Sequence, residues 1–316
     1  MTAGAAEHRT EDGMTDSTAQ LRRVAVIGAG TMGRGIAQVA ALGGFETMLF
    51  DVDEGVLKQA QQAIAGALQK GVELGKVQAS AAEAARTHLR TTSRLEDAAR
   101  GVDLAIEAVP EEIGLKIETF RALDRLAPPH AVLATNTSAL SITELAGATD
   151  RPERVIGMHF FNPVHLMRLL EVVRALQTSD ETRAIAFAAA RRMGKEPVEV
   201  NESPGFVTSR VNALIGNEAF FMLQEGVASA ADIDKALKLG LNHPMGPFEL
   251  VDMVGLDTRL KILRFLHQTL GEKYRPCPLL EKYVQAGRLG RKVGRGIYEY
   301  GPAGAASGKG GAGSAG

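Results

Sequence analysis

Cysteine, net charge and long apolar runs are what this 316-residue chain has least of, and each shortage removes a class of protein. Cys277 is the only cysteine, so an intrachain disulfide and a cysteine-cluster metal site are excluded. It sits in Pro276-Cys277-Pro278, where nothing activates a thiolate, and reads as a structural residue. No metal is expected. The 36 lysines and arginines nearly cancel the 37 aspartates and glutamates, leaving a formal charge of -1. That gives no global positive field for nucleic acid, so anionic ligands must be held by local loops and helix ends. No run of about 18 apolar residues occurs, so no membrane span is expected. Residues 1–21 lack the apolar stretch of a secretory signal, and Glu7, Glu11, Asp12 and Asp16 argue against a mitochondrial transit peptide. A reducing, cytoplasmic location fits this set.

What is present is an ordinary globular composition, 45% hydrophobic and 23% charged, on a chain long enough for two domains with a core each. Residues 1–21 and the Gly/Ala-rich 301–316 read as disordered tails. Between them, Arg22-Arg23-Val24-Ala25-Val26-Ile27-Gly28 predicts a buried strand, and Met32 to Leu42 a helix stopped by Gly43-Gly44. Strands are expected at 47–51, 102–109 and 131–135, and helices at 54–74, 115–126 and near Ile142. Alternation at this spacing means an α/β domain with a mostly parallel sheet. From Pro204 onward the periodicity is helical, with a short strand only at 296–300. The expected division is 22–203, α/β, and 204–300, a smaller all-helical domain.

The pattern Gly28-Ala29-Gly30-Thr31-Met32-Gly33 is weak by itself, but here a strand precedes it, a helix follows, and an acid ends the next strand. Gly28 serves the tight turn, Gly30 the approach of a pyrophosphate, and Gly33 the packing of helix on strand. Together these mark a Rossmann-type dinucleotide site. Asp51, 18 residues beyond Gly33, is placed for the adenosine ribose hydroxyls, and no arginine follows it directly. Its charge opposes a 2′-phosphate, so the expected cofactor is NAD rather than NADP.

Val155 to Phe160 and Leu169 to Val173 are both strand-like. A chain reversal near His165 pairs positions that sum to 330, so His159 faces Glu171. Cross-strand Cβ atoms stand roughly 5 Å apart, close enough for a carboxylate to hold an imidazole as a proton-transfer group. Spacing alone leaves this open between a catalytic pair and a structural one. His8 lies in the tail, His88, His130 and His267 have no suitable partner pattern, His165 sits at the reversal, and His243 belongs to a loop.

These residues carry a resemblance to the L-3-hydroxyacyl-CoA dehydrogenase family over about residues 22 to 300. It rests on the loop from Ile27 to Ala37, Ile106-Glu107-Ala108-Val109-Pro110-Glu111, Thr135-Asn136-Thr137-Ser138 and Gly157-Met158-His159-Phe160-Phe161-Asn162-Pro163. Pro204-Gly205-Phe206-Val207, Asn242 to Pro247 and Gly290 to Gly296 extend it into the helical region. The resemblance implies reversible oxidation of a (3S)-3-hydroxyacyl-CoA to the 3-ketoacyl-CoA, with short chains such as 3-hydroxybutyryl-CoA favoured. It implies His159 as general base and acid, Glu171 as its orienter, and Ser138 and Asn162 around the reacting oxygen and nicotinamide. Glu111 and Lys116 match cofactor-side positions. The helical domain is implied to cover the cleft and to supply a homodimer face. One departure stands out: Ser209 occupies a substrate-side position where many members carry Asn, and offers one hydroxyl in place of an amide. Lys70 and Lys76 are candidates for the CoA phosphates. Two other readings remain, a dehydrogenase of a free hydroxy acid or sugar acid, and a non-catalytic NAD-binding structural protein.

Overall fold

A computed structural model describes residues 21–301 together with the short strand Ala306–Ser307. Most of both expected tails lies outside the described residues. Two points differ from the tail assignments. Leu21 is 4% exposed, packs into the core, and its carbonyl accepts from Arg192 Nη1 at 2.6 Å. Ala306–Ser307 pairs antiparallel with Glu299–Tyr300.

The chain divides between Glu202 and Ser203 into two compact units. In the first, the elements run β1 (Arg23–Ile27), α1 (Thr31–Leu42), β2 (Glu46–Phe50), α2 (Glu54–Glu73), α3 (Ala79–His88), β3 (Leu89–Thr92) and α4 (Leu95–Ala99). They continue as β4 (Leu104–Glu107), α5 (Ile113–Leu126), β5 (Val132–Thr135), α6 (Ile142–Ala146), β6 (Val155–Phe160), β7 (Leu169–Arg174), α7 (Asp180–Arg192) and β8 (Glu196–Asn201). The strands form an eight-stranded sheet in the order β3-β2-β1-β4-β5-β6-β7-β8. Neighbours are parallel except β6 and β7, which run antiparallel. Strands β4, β5 and β6 are buried at every residue, as parallel strands covered on both faces must be.

The helices form for local reasons as well. α2 buries Leu57, Ala60, Ile64 and Leu68, one stripe at helical spacing, and Asp53 caps it by accepting from the amides of Gly55 and Val56. α7 and β8 were not anticipated. α7 hides its apolar stripe in small residues, Ala186, Ala189 and Ala190 beside Ile185, and Ser179 caps it. β8 is an edge strand, Glu-Pro-Val-Glu-Val-Asn, in which only Val200 is buried. β4 is shorter than the expected 102–109, running from Leu104 to Glu107 with a bend following at Val109.

The second unit holds α8 (Thr208–Gln224), α9 (Ala230–Gly240), α10 (Pro247–Val254), α11 (Leu256–Leu270), α12 (Pro278–Gln285), β9 (Glu299–Tyr300) and β10 (Ala306–Ser307). Its own core includes Phe220, Phe248, Leu256, Leu263 and Leu266, with the Phe220 and Phe248 rings edge to face at 5.3 Å. Two buried aspartates tie its glycine-rich loops. Asp252 accepts from the amides of Ile297 and Tyr298 and from the Tyr300 hydroxyl at 2.8–2.9 Å. Asp234 accepts from the amides of Phe248 and Glu249 and from the Tyr298 hydroxyl. Gly296 and Gly246 are glycine because a Cβ at either would collide with one of these carboxylates. Cys277 is buried, donates its amide to Asn217 Oδ1 at 2.8 Å, and burial pushes its thiol up, which leaves it inert. Among the described residues no helix is long and apolar enough to cross a membrane, and no cluster of His, Cys, Asp and Glu is built to hold a metal.

Candidate active site

The strand ends of the first unit form a row. Phe50, Ile27, Glu107, Thr135 and Gly157 are register partners in turn across β2, β1, β4, β5 and β6. The segments leaving those ends therefore share one edge of the sheet: Asp51, Gly28–Gly33, Ala108–Glu111, Asn136–Ser138 and Met158-His159. Between β1 and β4 the strand order reverses, the place where an open α/β sheet makes a ligand crevice.

At that crevice Gly28 has a φ of +103°, and a Cβ there would stand 2.7 Å from the Ala108 carbonyl oxygen. A Cβ at Gly33 would collide with the Gly28 carbonyl. Gly30 is the N-cap of α1, and no described side chain caps this helix, whereas Asp53, Ser179 and Ser229 cap others. The first-turn amides around Thr31, Met32 and Gly33 are therefore left for an anion, and the helix dipole favours one. Asp51 Oδ2 accepts from the Ala29 amide at 2.8 Å and Oδ1 from the Asp53 amide at 3.1 Å. The acid so ties the glycine loop to the end of β2, and a carboxylate retains lone pairs for ribose hydroxyls. These residues fit a dinucleotide.

The expected histidine–carboxylate pairing is present. His159 and Glu171 are register partners of β6 and β7, and His159 Nδ1 lies 2.7 Å from Glu171 Oε2. Glu171 is fully buried and His159 is 6% exposed, with the Phe161 ring 4.4 Å away and tilted by 51°. The loop that follows is seated on α1: a Cβ at Gly35 would stand 2.9 Å from Val164. Lys195 clips the same loop, donating to the carbonyls of Val164 and Met167; burial pushes its ammonium pKa down. Asn162, exposed on that loop, borders a hollow of about 190 Å³ with Thr31, Arg34, Gln38, Ile64 and Ala67. Lys70 and Lys76 border a groove of about 510 Å³ that shares Gln38, Ala67 and His165 with that hollow.

On the other side of the crevice Glu111 Oε1 accepts from Thr137 Oγ1 at 2.5 Å and from the Ser138 amide at 2.9 Å, with Ser138 Oγ at 3.4 Å. Lys116, expected to meet the cofactor from a helix, is instead 1% exposed, with Glu107 at 2.6 Å and Glu111 at 3.2 Å. Ser209 lies in the first turn of α8, in the second unit.

The family model for the NAD-binding domain of 3-hydroxyacyl-CoA dehydrogenase matches residues 23–203, and the model for the C-terminal domain of that enzyme matches residues 205–300. The chain belongs to the 3-hydroxyacyl-CoA dehydrogenase family. A probable 3-hydroxybutyryl-CoA dehydrogenase of Bacillus subtilis is 48% identical over 282 residues, 89% of this chain and 98% of that one. A mitochondrial hydroxyacyl-coenzyme A dehydrogenase of Homo sapiens is 40% identical, covering 89% and 91%. Among solved structures, (S)-3-hydroxybutyryl-CoA dehydrogenase of Ralstonia eutropha superposes with a TM-score of 0.86 at 41% identity, covering 89% of this chain and all of that one. This chain is therefore an NAD-dependent oxidoreductase of that family, and its first unit is the family's NAD-binding domain.

In this family member several further residues support the site. Asn136 Oδ1 accepts from the Phe160 amide at 2.9 Å, fixing the strand end next to His159. Glu107 is a hub at the end of β4; an acid closing a strand of otherwise apolar residues was the signal for it. Ser141 caps α6, accepting from the Glu144 amide at 3.1 Å, and Thr143 donates to Glu202. Two histidines read as lacking a partner have one: His130 Nε2 is 3.2 Å from Asp103 and His267 Nε2 is 3.1 Å from Glu272. Both partners are remote from, or out of helical step with, the histidine, so pattern alone could not show them.

Proposed function

We propose that the chain interconverts a (3S)-3-hydroxyacyl-CoA and the 3-ketoacyl-CoA, a short-chain substrate such as 3-hydroxybutyryl-CoA, with His159 as the proton-transfer residue. The observation that carries this reading is the 2.7 Å contact between His159 Nδ1 and the buried Glu171 carboxylate. Glu171 fixes the ring and stabilises its charged form, so proton exchange with the substrate oxygen falls to Nε2. NAD, when bound, supplies the hydride acceptor at the substrate carbon. Gly28 to Gly33 and Asp51 hold the dinucleotide end, with Ala29, Thr31 and Met32 offering backbone at the pyrophosphate. Ser138 and Asn162 hydrogen-bond around the reacting oxygen and the nicotinamide. Glu111 stands on the cofactor side, with Lys116 behind it.

The hollow beside Asn162 shares Gln38, Ala67 and His165 with the groove beside Lys70 and Lys76, two cations suited to the CoA phosphates. Ser209 bonds the substrate through its hydroxyl in this reading. The protein works as a cytoplasmic homodimer joined through the helical unit. An apolar hollow of about 440 Å³ there, bordered by Leu214, Phe221, Met222 and Leu241, supports that face. Light scattering on the purified chain tests the dimer.

The function is tested by NADH absorbance with acetoacetyl-CoA, free acetoacetate and a panel of acyl lengths, with NADPH as control. The expected result is rapid NADH consumption with the CoA ester and little with the free acid or NADPH. Equal rates with free acetoacetate would move the assignment to a hydroxy-acid dehydrogenase, and no turnover with any substrate would favour a non-catalytic NAD-binding protein.

A further inference from the structure

Lys116 stands near the start of α5 and is 1% exposed. An ammonium has three protons to give and accepts none. Three protein oxygens surround it: Glu107 Oε1 at 2.6 Å, Glu111 Oε2 at 3.2 Å and the Val109 carbonyl at 3.3 Å. Glu107 is fully buried, and burial pushes its carboxyl above the usual carboxylate range, opposed by Lys116 and by bonds from Thr135 and Val109. Desolvation offsets most of what such a pair gains, so stability alone is a poor reason for it.

Its attachments are more informative. Glu107 Oε2 accepts from Thr135 Oγ1 at 2.7 Å, Oε1 accepts from the Val109 amide at 2.7 Å, and the Glu107 carbonyl accepts from the Asn136 amide at 2.8 Å. On the far side of the ammonium, Glu111 takes Thr137 and Ser138. The segment from Thr135 to Ser138 is thus held at its start by Glu107 and at its end by Glu111, with Lys116 between the two acids.

We propose that Glu107 and Lys116 are positioning residues for the dehydrogenase reaction: the buried ammonium holds Glu111 in place, and Glu111 sets where the Ser138 hydroxyl stands. Lys116 then acts through Glu111, to which it is ion-paired at 3.2 Å while it donates to Glu107 and the Val109 carbonyl. The inference rests on the proposed function, and on Ser138 lying beside the reacting oxygen.

A double-mutant cycle tests it, with wild type, Ser138→Ala, Lys116→Met and the double variant assayed for NADH-dependent reduction of acetoacetyl-CoA. Lys116→Met should lower kcat about tenfold, with a smaller change in KM for NADH. The double variant should lose at least about fivefold less than the product of the single losses, because Ser138 is already displaced. Losses that multiply to within about twofold overturn the proposal. Should Lys116→Met fail to fold, Glu107→Gln/Lys116→Met removes both charges and takes its place in the cycle. That variant is expected to melt at or above the wild-type temperature and still show a kcat lowered about tenfold. Wild-type kcat in it would make the pair merely structural and overturn the proposal. A wild-type enzyme without NADH consumption overturns the function reading itself, a failure distinct from a multiplicative cycle in an active enzyme.

Discussion

Glu171 and Glu107 are both fully buried near the same edge of one sheet, and each holds a basic side chain. Glu171 meets an imidazole on the antiparallel neighbour strand at 2.7 Å, and Glu107 meets an ammonium from the helix after its own strand at 2.6 Å. The glutamates are alike; the partners decide what each pair can do. An imidazole held at Nδ1 has a second ring nitrogen that can give or take a proton, so the pair is suited to exchange one. A buried ammonium that donates to Glu107 and the Val109 carbonyl and is ion-paired with Glu111 holds its neighbours in place. The same buried carboxylate therefore serves proton transfer in one pair and geometry in the other.

The largest expected break comes at the imidazole. His159→Gln should lower kcat about 10²–10⁴-fold, the usual worth of a general base, while fluorescence titration shows NADH binding retained. Glu171→Gln should cost less, about 10²-fold, because the ring remains but its orientation and charge are no longer supported. At the other pair the sign of the stability effect should differ. A carboxyl whose folded value is raised contributes stability on the acid side, and that contribution is lost as pH rises through the folded value. Above that folded value the ionised Glu107 is thus a cost relative to a neutral replacement. Glu107→Gln/Lys116→Met should melt at or above the wild-type temperature near pH 7, with the advantage closing as pH falls to about 4. Calorimetry across that range checks it. The smallest effect belongs to Asp51, an acid of the same edge bound to the loop amides of Ala29 and Asp53. Asp51→Ala should relax the preference for NADH over NADPH by about tenfold, read from the ratio of kcat/KM values.

Local features were legible in the sequence and remote ones were not. The glycine loop declares itself because strand, turn and helix are contiguous, and Asp51 follows at a fixed distance. The β6–β7 pairing was legible because one reversal near His165 fixes every partner, so the sum of 330 places His159 on Glu171. For Glu107 the acid ending an apolar strand was visible but its partners were not, because Val109, Lys116, Thr135 and Asn136 lie on three separate segments. Asp252 likewise reaches Ile297 and Tyr298 some 45 residues away, so the glycines at 290–296 could be read only as a family mark. β8 escaped notice because only Val200 of its six residues is buried, and α7 because alanine fills its buried stripe.

The contrast between the two glutamates is tested most directly by the pH dependence of kcat for acetoacetyl-CoA reduction in Glu171→Gln and Glu107→Gln. In this direction the imidazole must deliver a proton. Losing the carboxylate that stabilises its charged form should move the fall in rate toward lower pH in Glu171→Gln. Glu107→Gln should lower kcat with the profile in its wild-type position. A profile that stays put in Glu171→Gln, or one that moves in Glu107→Gln, would contradict the division of labour between proton transfer and positioning.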